Sequence, residues 1–283
     1  MRTRLDQLAA QALEEGSAVP ALTCYDFTTA LAVVNAAEEE GRGLVLLVAS
    51  KTAGTSEGLR LVAALRGLAD AATAPVVVQL DHASNLRVVA DAVAAGADSV
   101  LVDGSSLPYE DNVSLVLAGR ALVGPGIVVE AELGGLAGDE DRAFTSDGSG
   151  VAVSGLTDPA RVEEFVSRTS AELLAVAVGN VHGKYQGAPQ LRWDVLRDIT
   201  GRTDLPLVLH GASGIPAEDL VKATKLNVGK INVNTELRTG ILATLQERLP
   251  GHRADGENLS GLLADWNCSA RDFAADLLAV LAR

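Results

Sequence analysis

The chain has little of what stabilises small secreted domains or carries a protein across a membrane. Its 283 residues include only two cysteines, Cys24 and Cys268, which are too few for a disulfide framework and fit a reducing cytoplasm. No apolar run reaches about 18 residues, the length that predicts a membrane span. The charged N-terminal stretch MRTRLDQLAAQALEEG lacks the apolar core of a signal peptide. We therefore expect a cytoplasmic protein that is not embedded in a membrane.

Aromatic residues and positive charge are also scarce. Only 3% of the residues are aromatic although 48% are hydrophobic, so the core must be built from Val, Leu, Ile and Ala, as in parallel sheets covered by helices. The net charge of −14 argues against nucleic acid or an anionic membrane surface as a partner.

What the sequence does have is a regular alternation of short β-branched runs and amphipathic stretches rich in Ala and Leu. Helices are predicted over segments such as Thr28–Glu40, Ser56–Ala72, Ser84–Ala94, Tyr109–Leu122 and Pro159–Arg168. Eight strands are predicted, at Val19–Tyr25, Gly43–Ser50, Pro75–Asp81, Ser99–Asp103, Ile127–Glu132, Leu173–Gly179, Leu205–His210 and Lys230–Asn234. This pattern predicts one α/β domain over 1–283, a closed (β/α)8 TIM barrel.

The ends of the predicted barrel need separate consideration. After Arg238 the sequence predicts a helix to Leu249, a polar linker PGHRADGEN and a final Ala/Leu helix, so that about 240–283 holds the last barrel helix and a C-terminal helical extension. An open doubly wound sheet is the alternative fold. It normally has a glycine-rich turn after its first strand, whereas that turn here reads TCYDFTT.

Three of the four histidines lie where predicted strands run out into loops, namely His82, His182 and His210. Because the carboxyl ends of barrel strands form a single face, three such imidazoles predict a convergent metal site with a position left open for substrate. A single histidine in this context would more simply be a satisfied residue of the core or rim.

Other polar residues follow the same strands. His182 and His210 are each followed by glycine, and barrels bind phosphate with glycine-flanked backbone N–H groups near strands seven and eight. Either glycine alone would more simply form a tight βα turn. The polar residues at the ends of the later strands are Asp81, Asp103, Glu130, Glu132, Asn180, Ser213, Asn232, Asn234 and Thr235. A metal beside a phosphate site and carboxylates suits carbon-acid chemistry on a phosphorylated ketone, with the metal holding the carbonyl oxygen and a carboxylate moving the proton.

The connection after the fifth strand, Gly134 to Gly155, is rich in Gly, Asp and Ser and has no apolar periodicity. A segment of this length is typical of an active-site lid or of a disordered insertion. Its acidic cluster, DED at 139–141, is either a solvated turn or a mobile arm that brings a carboxylate over the barrel mouth.

Several motifs in the same order resemble those of the class II, metal-dependent fructose-bisphosphate and tagatose-bisphosphate aldolases. They are QLDHAS, SVLVDGSSLPYEDN, VEAELGGLAGDED, AVAVGNVHGKYQG, PLVLHGASGIP and KINVNTELR. The resemblance runs from about Val19 to Arg238. It implies a (β/α)8 barrel, one Zn²⁺ per chain on the three histidines, a sugar phosphate substrate and a homodimer or homotetramer.

The resemblance also implies roles for the carboxylates. Asp81 matches the aspartate that hands a proton to the aldehyde oxygen, and Glu140 the loop glutamate that deprotonates dihydroxyacetone phosphate. Glu132 matches a carboxylate near the metal, as a neighbour or alternative ligand. Asp103 matches a residue that supports an accessory metal position.

Further residues match the family's substrate-binding positions. Asn232 matches the asparagine that contacts the enediolate, and we place Ser50 and Asn180 in the substrate site as well. The clamp for dihydroxyacetone phosphate, where a monovalent cation such as Na⁺ or K⁺ can also sit, corresponds to Gly183, Gly211, Ser213, Asn234 and Thr235.

Two positions depart from the family pattern on the aldehyde side. Thr23 stands where the family usually has an asparagine that helps to hold the second phosphate. The C-terminal pattern that supplies an arginine from a neighbouring subunit is missing from GHRADGENLSGLLADW. The substrate is therefore expected to be fructose 1,6-bisphosphate, tagatose 1,6-bisphosphate or a ketose phosphate made from a specialised aldehyde.

Two other functions remain as alternatives. Lys184 is the one of five lysines that is predicted to lie near the mouth, and a desolvated lysine there could form a Schiff base with a ketone. A non-catalytic barrel that binds sugar phosphate or stabilises a partner enzyme would be expected to have lost metal ligands or proton-transfer carboxylates, and this chain keeps them.

Overall fold

A computed structural model of the protein describes residues 3–136, 155–183, 185 and 187–282. Its centre is a closed barrel of eight parallel strands in sequence order, in which β1 pairs with both β2 and β8. The strands are β1 Val19–Thr23, β2 Leu44–Ala49, β3 Val76–Ala83, β4 Ser99–Val102, β5 Val128–Leu133, β6 Leu173–Val176, β7 Leu207–Leu209 and β8 Val228–Val233. The predicted (β/α)8 barrel is confirmed.

One helix, α1, precedes the first strand, and the others follow strands and cover the outside of the barrel. They are α1 Leu5–Glu14, α2 Phe27–Glu40, α3 Ser50–Ala53, α4 Ser56–Ala71, α5 Leu86–Ala95, α6 Tyr109–Val123, α7 Val162–Thr169, α8 Trp193–Thr200, α9 Ala217–Thr224, α10 Thr235–Ala254 and α11 Leu259–Leu281, with a 3₁₀ turn at Pro159–Arg161. Within the described ranges, none of these helices is both long and apolar enough to cross a bilayer.

Side-chain caps set several helix starts. The Asp26 carboxylate accepts a hydrogen bond from the backbone N–H of Thr29 at 2.9 Å, so α2 begins at Phe27, one residue earlier than predicted. The Asn85 side chain accepts from Arg87 N at 2.9 Å, so α5 begins at Leu86 and not at Ser84. Such caps satisfy backbone donors that have no partner inside the helix.

The core has two parts. One lies between the outer faces of the strands and the surrounding helices, and it contains Phe165 and most of the buried Val, Leu and Ala side chains. The other fills the lower barrel, where Leu5 and Leu8 of α1 pack against inward residues such as Val77, Val128 and Val208. Helix α1 therefore closes the amino-terminal end of the barrel.

The C-terminal region differs from the prediction at one point. The expected linker beginning at Pro250 is helical as far as Ala254, with the proline inside α10. Proline removes one helical N–H, but the exposed last turn is held from outside, because His252 Nε2 lies 2.8 Å from Asp265 Oδ2 on α11. The short segment from Asp255 to Asn258 then reverses the chain into α11.

Strand β6 is shorter than the sequence predicted. It ends at Val176, and the next two backbone N–H groups leave the sheet. Ala177 N donates to Thr157 Oγ1 at 2.8 Å, and Val178 N donates to Asn180 Oδ1 at 2.7 Å. Side chains have replaced the neighbouring strand as acceptors, so the chain bends into the loop that carries His182.

Candidate active site

The alternation of strand residues carries polar groups into the upper half of the barrel. Val77, Gln79 and Asp81 of β3 share one face, and only Val77 belongs to the apolar lower layer. Above it, Gln79 and Asp81 are both completely buried. The sequence therefore builds a polar layer on top of an apolar one, open toward the carboxyl ends of the strands.

His82 occupies an unusual backbone conformation. Its φ is 45°, in the left-handed region that residues other than glycine rarely adopt, and the β3–β4 register shifts between Leu80 and Ala83. Such strain costs about 1–3 kcal/mol and tends to occur at functional sites. Neighbouring residues of a strand normally face opposite sides of the sheet. The irregularity allows the side chains of both Asp81 and His82 to lie at the barrel mouth.

The three predicted histidines come together. The ring centre of His82 lies 5.1 Å from that of His182 and 4.8 Å from that of His210, and the His182 and His210 rings are 6.2 Å apart. Each ring offers one nitrogen such that the three atoms lie within 4.8 Å of one another. This spacing permits all three to bind a single ion.

Carboxylates contact the rings of His82 and His210. His82 Nδ1 lies 2.7 Å from Asp103 Oδ2, whereas His210 Nε2 lies 2.8 Å from Glu130 Oε1. Glu132 Oε2 lies between the two rings, 3.6 Å from His82 Nδ1 and 3.4 Å from His210 Nδ1. The carboxylate at hydrogen-bond distance therefore lies at Nδ1 of His82 but at Nε2 of His210.

These contacts change the acidity of the groups involved. Burial opposes the charged form of His210, but the hydrogen bond with Glu130 and the negative charge of the nearby Glu132 outweigh it and raise the pKa of His210 to about 9. Burial likewise opposes ionisation of Asp103, yet the hydrogen bond with His82 holds the pKa of Asp103 well below its usual range. In the absence of a cation, these contacts keep Asp103 ionised and favour the protonated form of His210.

The donor set fits a divalent metal. His210 Nδ1 and Glu132 Oε2 are both buried, and neither makes a hydrogen bond to another described residue. Buried polar atoms of this kind require a partner, and a metal ion supplies one. Three imidazoles with a nearby carboxylate are ligands that zinc accepts, with a coordination position left for substrate.

A second group overlaps the first. His82, Asp103 and Glu132 also offer one ligand atom each within 4.8 Å. Because His82 belongs to both groups, the two describe alternative positions in a single polar centre.

Next to the histidines lies a pocket lined by Thr23, His182, Gly183, Gly211, Ser213, Asn232, Asn234 and Thr235. Gly211 has a φ of 57°, and a Cβ there would lie 2.1 Å from the carbonyl oxygen of Val181, so only glycine fits. Helix α10 begins at Thr235 on the same side and presents its N-terminus, where backbone N–H groups favour anions. The predicted clamp residues are therefore brought together.

Two pocket residues have buried polar atoms without hydrogen-bond partners in the described part of the chain. They are the Thr23 hydroxyl and both atoms of the Asn232 amide. Thr23 and Asn232 are each 3% exposed. Such atoms are costly unless a ligand or water satisfies them.

Other predicted site residues are used to hold the framework. The Ser50 hydroxyl donates to the carbonyl of His82 at 2.6 Å, and Ser213 Oγ accepts from Thr235 N at 3.1 Å. The Asn180 amide donates to the carbonyl of His210 at 2.9 Å while its oxygen accepts from Val178 N. Ser50 and Asn180 thus support the backbones of His82 and His210.

Two predicted residues, Glu140 and Lys184, lie outside the described residues. Arg253 and Arg271, in the C-terminal region, are candidate ligands of a second phosphate, and both are exposed. Arg253 pairs with Glu257, and Arg271 with its neighbour Asp272. Within this chain, neither arginine lines the pocket beside the histidines.

Sequence reasoning missed the groups beneath the histidines. Gln79 and Lys230 were not predicted as site residues, and Glu130 was noted only as a polar strand end, yet all three are completely buried and hydrogen-bonded together. The available signal was a lysine at an inward position in the apolar strand VGKINV.

Comparisons with known proteins agree with this geometry. The family model described as "Fructose-bisphosphate aldolase class-II" matches residues 3–279. A curated protein from Bacillus subtilis (strain 168), named "Probable fructose-bisphosphate aldolase", is 38% identical over 243 residues, covering 84% of this chain and 83% of the relative.

Solved structures are similar over almost the whole chain. The crystal structure of the YdjI aldolase from Escherichia coli K12 superimposes with a TM-score of 0.86 at 27% identity, covering 99% of this chain and 97% of that one. The fructose-bisphosphate aldolase of Campylobacter jejuni gives a TM-score of 0.80 at 20% identity, covering 99% and 95% of the two chains, and supports the fold alone.

Proposed function

Because the chain belongs to the class II fructose-bisphosphate aldolase family, we propose that it is a zinc-dependent enzyme that uses dihydroxyacetone phosphate as the donor in reversible aldol cleavage and condensation. One observation carries this proposal. Buried polar atoms that have no hydrogen-bond partner among the described residues belong to His210 and Glu132 in the histidine cluster, and to Thr23 and Asn232 in the pocket beside it. A bound metal and substrate would satisfy them.

The metal would be held by His82, His182 and His210, with Glu132 as a neighbour or alternative ligand and Asp103 behind His82. When bound, a divalent ion supplies Lewis-acid polarisation of the ketone carbonyl. A monovalent cation near the donor phosphate is a further part of the proposal.

The donor phosphate would bind where α10 begins. Gly183, Gly211 and Ser213 line this side of the pocket, and Thr235 opens the helix. Backbone N–H groups and the helix dipole favour the phosphate charge there. Asn232 then lies where its amide can bind an oxygen of the three-carbon donor.

Two carboxylates would move the protons. In cleavage, Asp81 takes the proton of the hydroxyl on the acceptor side, the carbon–carbon bond breaks with its electron pair left on the donor carbon, and Glu140 returns a proton to that carbon. In condensation the same transfers run backwards. Complete burial of Asp81 beside His82 supports this role, and the role of Glu140 rests on the resemblance of GDED.

The identity of the aldehyde acceptor is less closely defined than that of the donor. The relative from Bacillus subtilis is named for fructose bisphosphate, whereas Thr23 offers a neutral hydroxyl where a second phosphate needs strong donors. We therefore propose a substrate set of fructose 1,6-bisphosphate, tagatose 1,6-bisphosphate or a ketose phosphate from a specialised aldehyde. Two exposed aromatic rings, Tyr25 and Phe27, follow Thr23 and suit an acceptor that is not phosphorylated.

We also propose a cytoplasmic homodimer or homotetramer. Four exposed leucines on the last two helices support self-association, namely Leu242, Leu249, Leu259 and Leu263.

The test is an aldol assay with dihydroxyacetone phosphate and a panel of aldehydes, before and after removal of metal. Chelation should abolish activity and added Zn²⁺ should restore it. His210→Ala should lose both metal and turnover, while His252→Ala, which changes a histidine on α10, should lose neither. Full activity without metal, together with substrate trapped by borohydride, would instead favour Schiff-base chemistry at Lys184.

A second assay separates the proton transfers. Asp81→Ala should retain metal and still exchange the donor's α-proton with solvent, while bond formation slows by about 10²–10⁴. Glu140→Ala should suppress the exchange itself. Unchanged exchange and unchanged cleavage in both variants would contradict these roles.

A further inference from the structure

Beneath the histidines lies a fully buried ionic cluster. Lys230 Nζ donates to Glu130 Oε2 at 2.8 Å, and Gln79 Nε2 donates to the same oxygen at 2.8 Å. All three side chains are 0% exposed. They come from β8, β5 and β3, so the cluster spans the interior of the barrel.

Stability alone does not account for this cluster. Removing a carboxylate and an ammonium from water costs several kcal/mol each, and apolar residues of similar volume often stabilise a protein equally well or better. The layer immediately below is apolar, with Val77, Val128 and Val208. A continued apolar core was therefore physically available at these positions.

The cluster is connected to one metal-site histidine. Glu130 Oε1 lies 2.8 Å from His210 Nε2, while Oε2 is occupied by Lys230 and Gln79. An ammonium can only donate, so the carboxylate must accept from it. Three hydrogen bonds then fix the plane of the carboxylate, and the proton of the imidazole lies on Nε2.

We propose that Glu130, held by Lys230 and Gln79, is a positioning residue that makes Nδ1 the metal-binding atom of His210. His210 Nδ1 faces Glu132, and among the described residues it makes no hydrogen bond. His82 is engaged at its other nitrogen by Asp103. The two rings must therefore present opposite nitrogens, and a rotated or tautomerised His210 would break the site.

This inference rests on the proposed metal dependence, and its test uses zinc alone. Two double variants differ in a single feature. Glu130→Met with Lys230→Met leaves His210 without an acceptor, whereas Glu130→Gln with Lys230→Met keeps an amide oxygen as acceptor. Both remove the buried charges together, which avoids the penalty of an unpaired ion.

We expect the Met/Met variant to bind Zn²⁺ about 10- to 100-fold more weakly than the wild type, as for other lost partners of metal-binding histidines. The Gln/Met variant should recover most of the affinity. Arg66→Met, which breaks a buried ion pair with Asp98 elsewhere in the barrel wall, should leave zinc affinity unchanged. Competition with a chromophoric chelator measures all of these constants.

Nitrogen NMR of the wild-type protein gives a test that needs no variant of the cluster. The chain has four histidines, and His252→Gln identifies the signal from outside the metal cluster. We expect His210 to keep a proton on Nε2 in both metal-free and zinc-bound protein, with zinc shifting Nδ1. Zinc on Nε2, or equal affinity of the Met/Met variant and the wild type, would overturn the positioning role alone. No zinc binding by the wild type would overturn the proposed function as well.

Discussion

Replacing Asn232 by leucine should stabilise the substrate-free protein, whereas the same replacement of Asn180 should destabilise it. Both side chains are almost completely buried, at 3% and 2% exposed. Neither amide atom of Asn232 has a hydrogen-bond partner in the described part of the chain, while Asn180 is bonded to Val178 N and the carbonyl of His210. The two variants therefore compare the loss of a buried amide that lacks hydrogen bonds with the loss of a buried amide that makes them.

The expected magnitudes follow from these contacts. Removing an unsatisfied buried amide recovers about 1–3 kcal/mol in the free energy of unfolding. Removing Asn180 leaves a buried N–H and a buried carbonyl unpaired and should cost about 2–4 kcal/mol. Activity should not follow stability. In Asn232→Leu the enzyme loses a hydrogen bond to a charged atom of dihydroxyacetone phosphate, which is worth about 1.5–3 kcal/mol. The variant's kcat/KM should therefore fall about 10- to 150-fold.

Urea unfolding of the metal-free proteins measures the stabilities, and the aldol assay of the zinc-loaded proteins measures kcat/KM. Asn232→Asp serves as a polar control of similar size that should not stabilise. If Asn232→Leu lost more than about 1 kcal/mol, the size of a typical net hydrogen bond, its amide would be satisfied in the resting protein and the reasoning would fail.

Three other predictions concern pH, packing and substrate. His210 has a raised pKa of about 9, so its contribution to the metal-free protein is complete below about pH 6.5 and is lost as the pH rises toward 9; urea unfolding at both ends of this window should show a loss of about 3 kcal/mol, and a flat profile would contradict it. Leu5→Ala should cost about 2–5 kcal/mol in unfolding free energy without changing zinc content or kcat, because Leu5 is buried at the end of the barrel away from the site. Fructose 1,6-bisphosphate should be cleaved with a higher KM than that of the Bacillus subtilis relative measured side by side, since Thr23 is a weak phosphate ligand; tight binding lost on replacing Arg253 or Arg271 would refute this.

The barrel was predictable because the pattern that encodes it is local. Each β-branched run predicts a strand, and each amphipathic run predicts a helix. Eight strands that alternate with helices are compatible with few fold topologies. The convergence of His82, His182 and His210 follows from the same logic, since strand ends share one face.

The remaining features depend on contacts between distant residues. Glu130 and Lys230 are 100 residues apart, and only the closed barrel brings them together. Asn180 stays a prediction as a substrate-site residue, and the sequence did not reveal that its amide donates to the backbone carbonyl of His210. Helix α10 continues beyond Pro250 because a contact with α11 stabilises its last turn. Local helix propensity gives no sign of that contact.

Helix α1 has a consequence for the order of events during turnover. Leu5 and Leu8 fill one end of the barrel, so the described residues leave its interior open toward the carboxyl ends of the strands. Under the proposed reaction, the substrate would enter and both products would leave at that one end. The product bound deeper, against the start of α10, would then leave after the product bound nearer the rim.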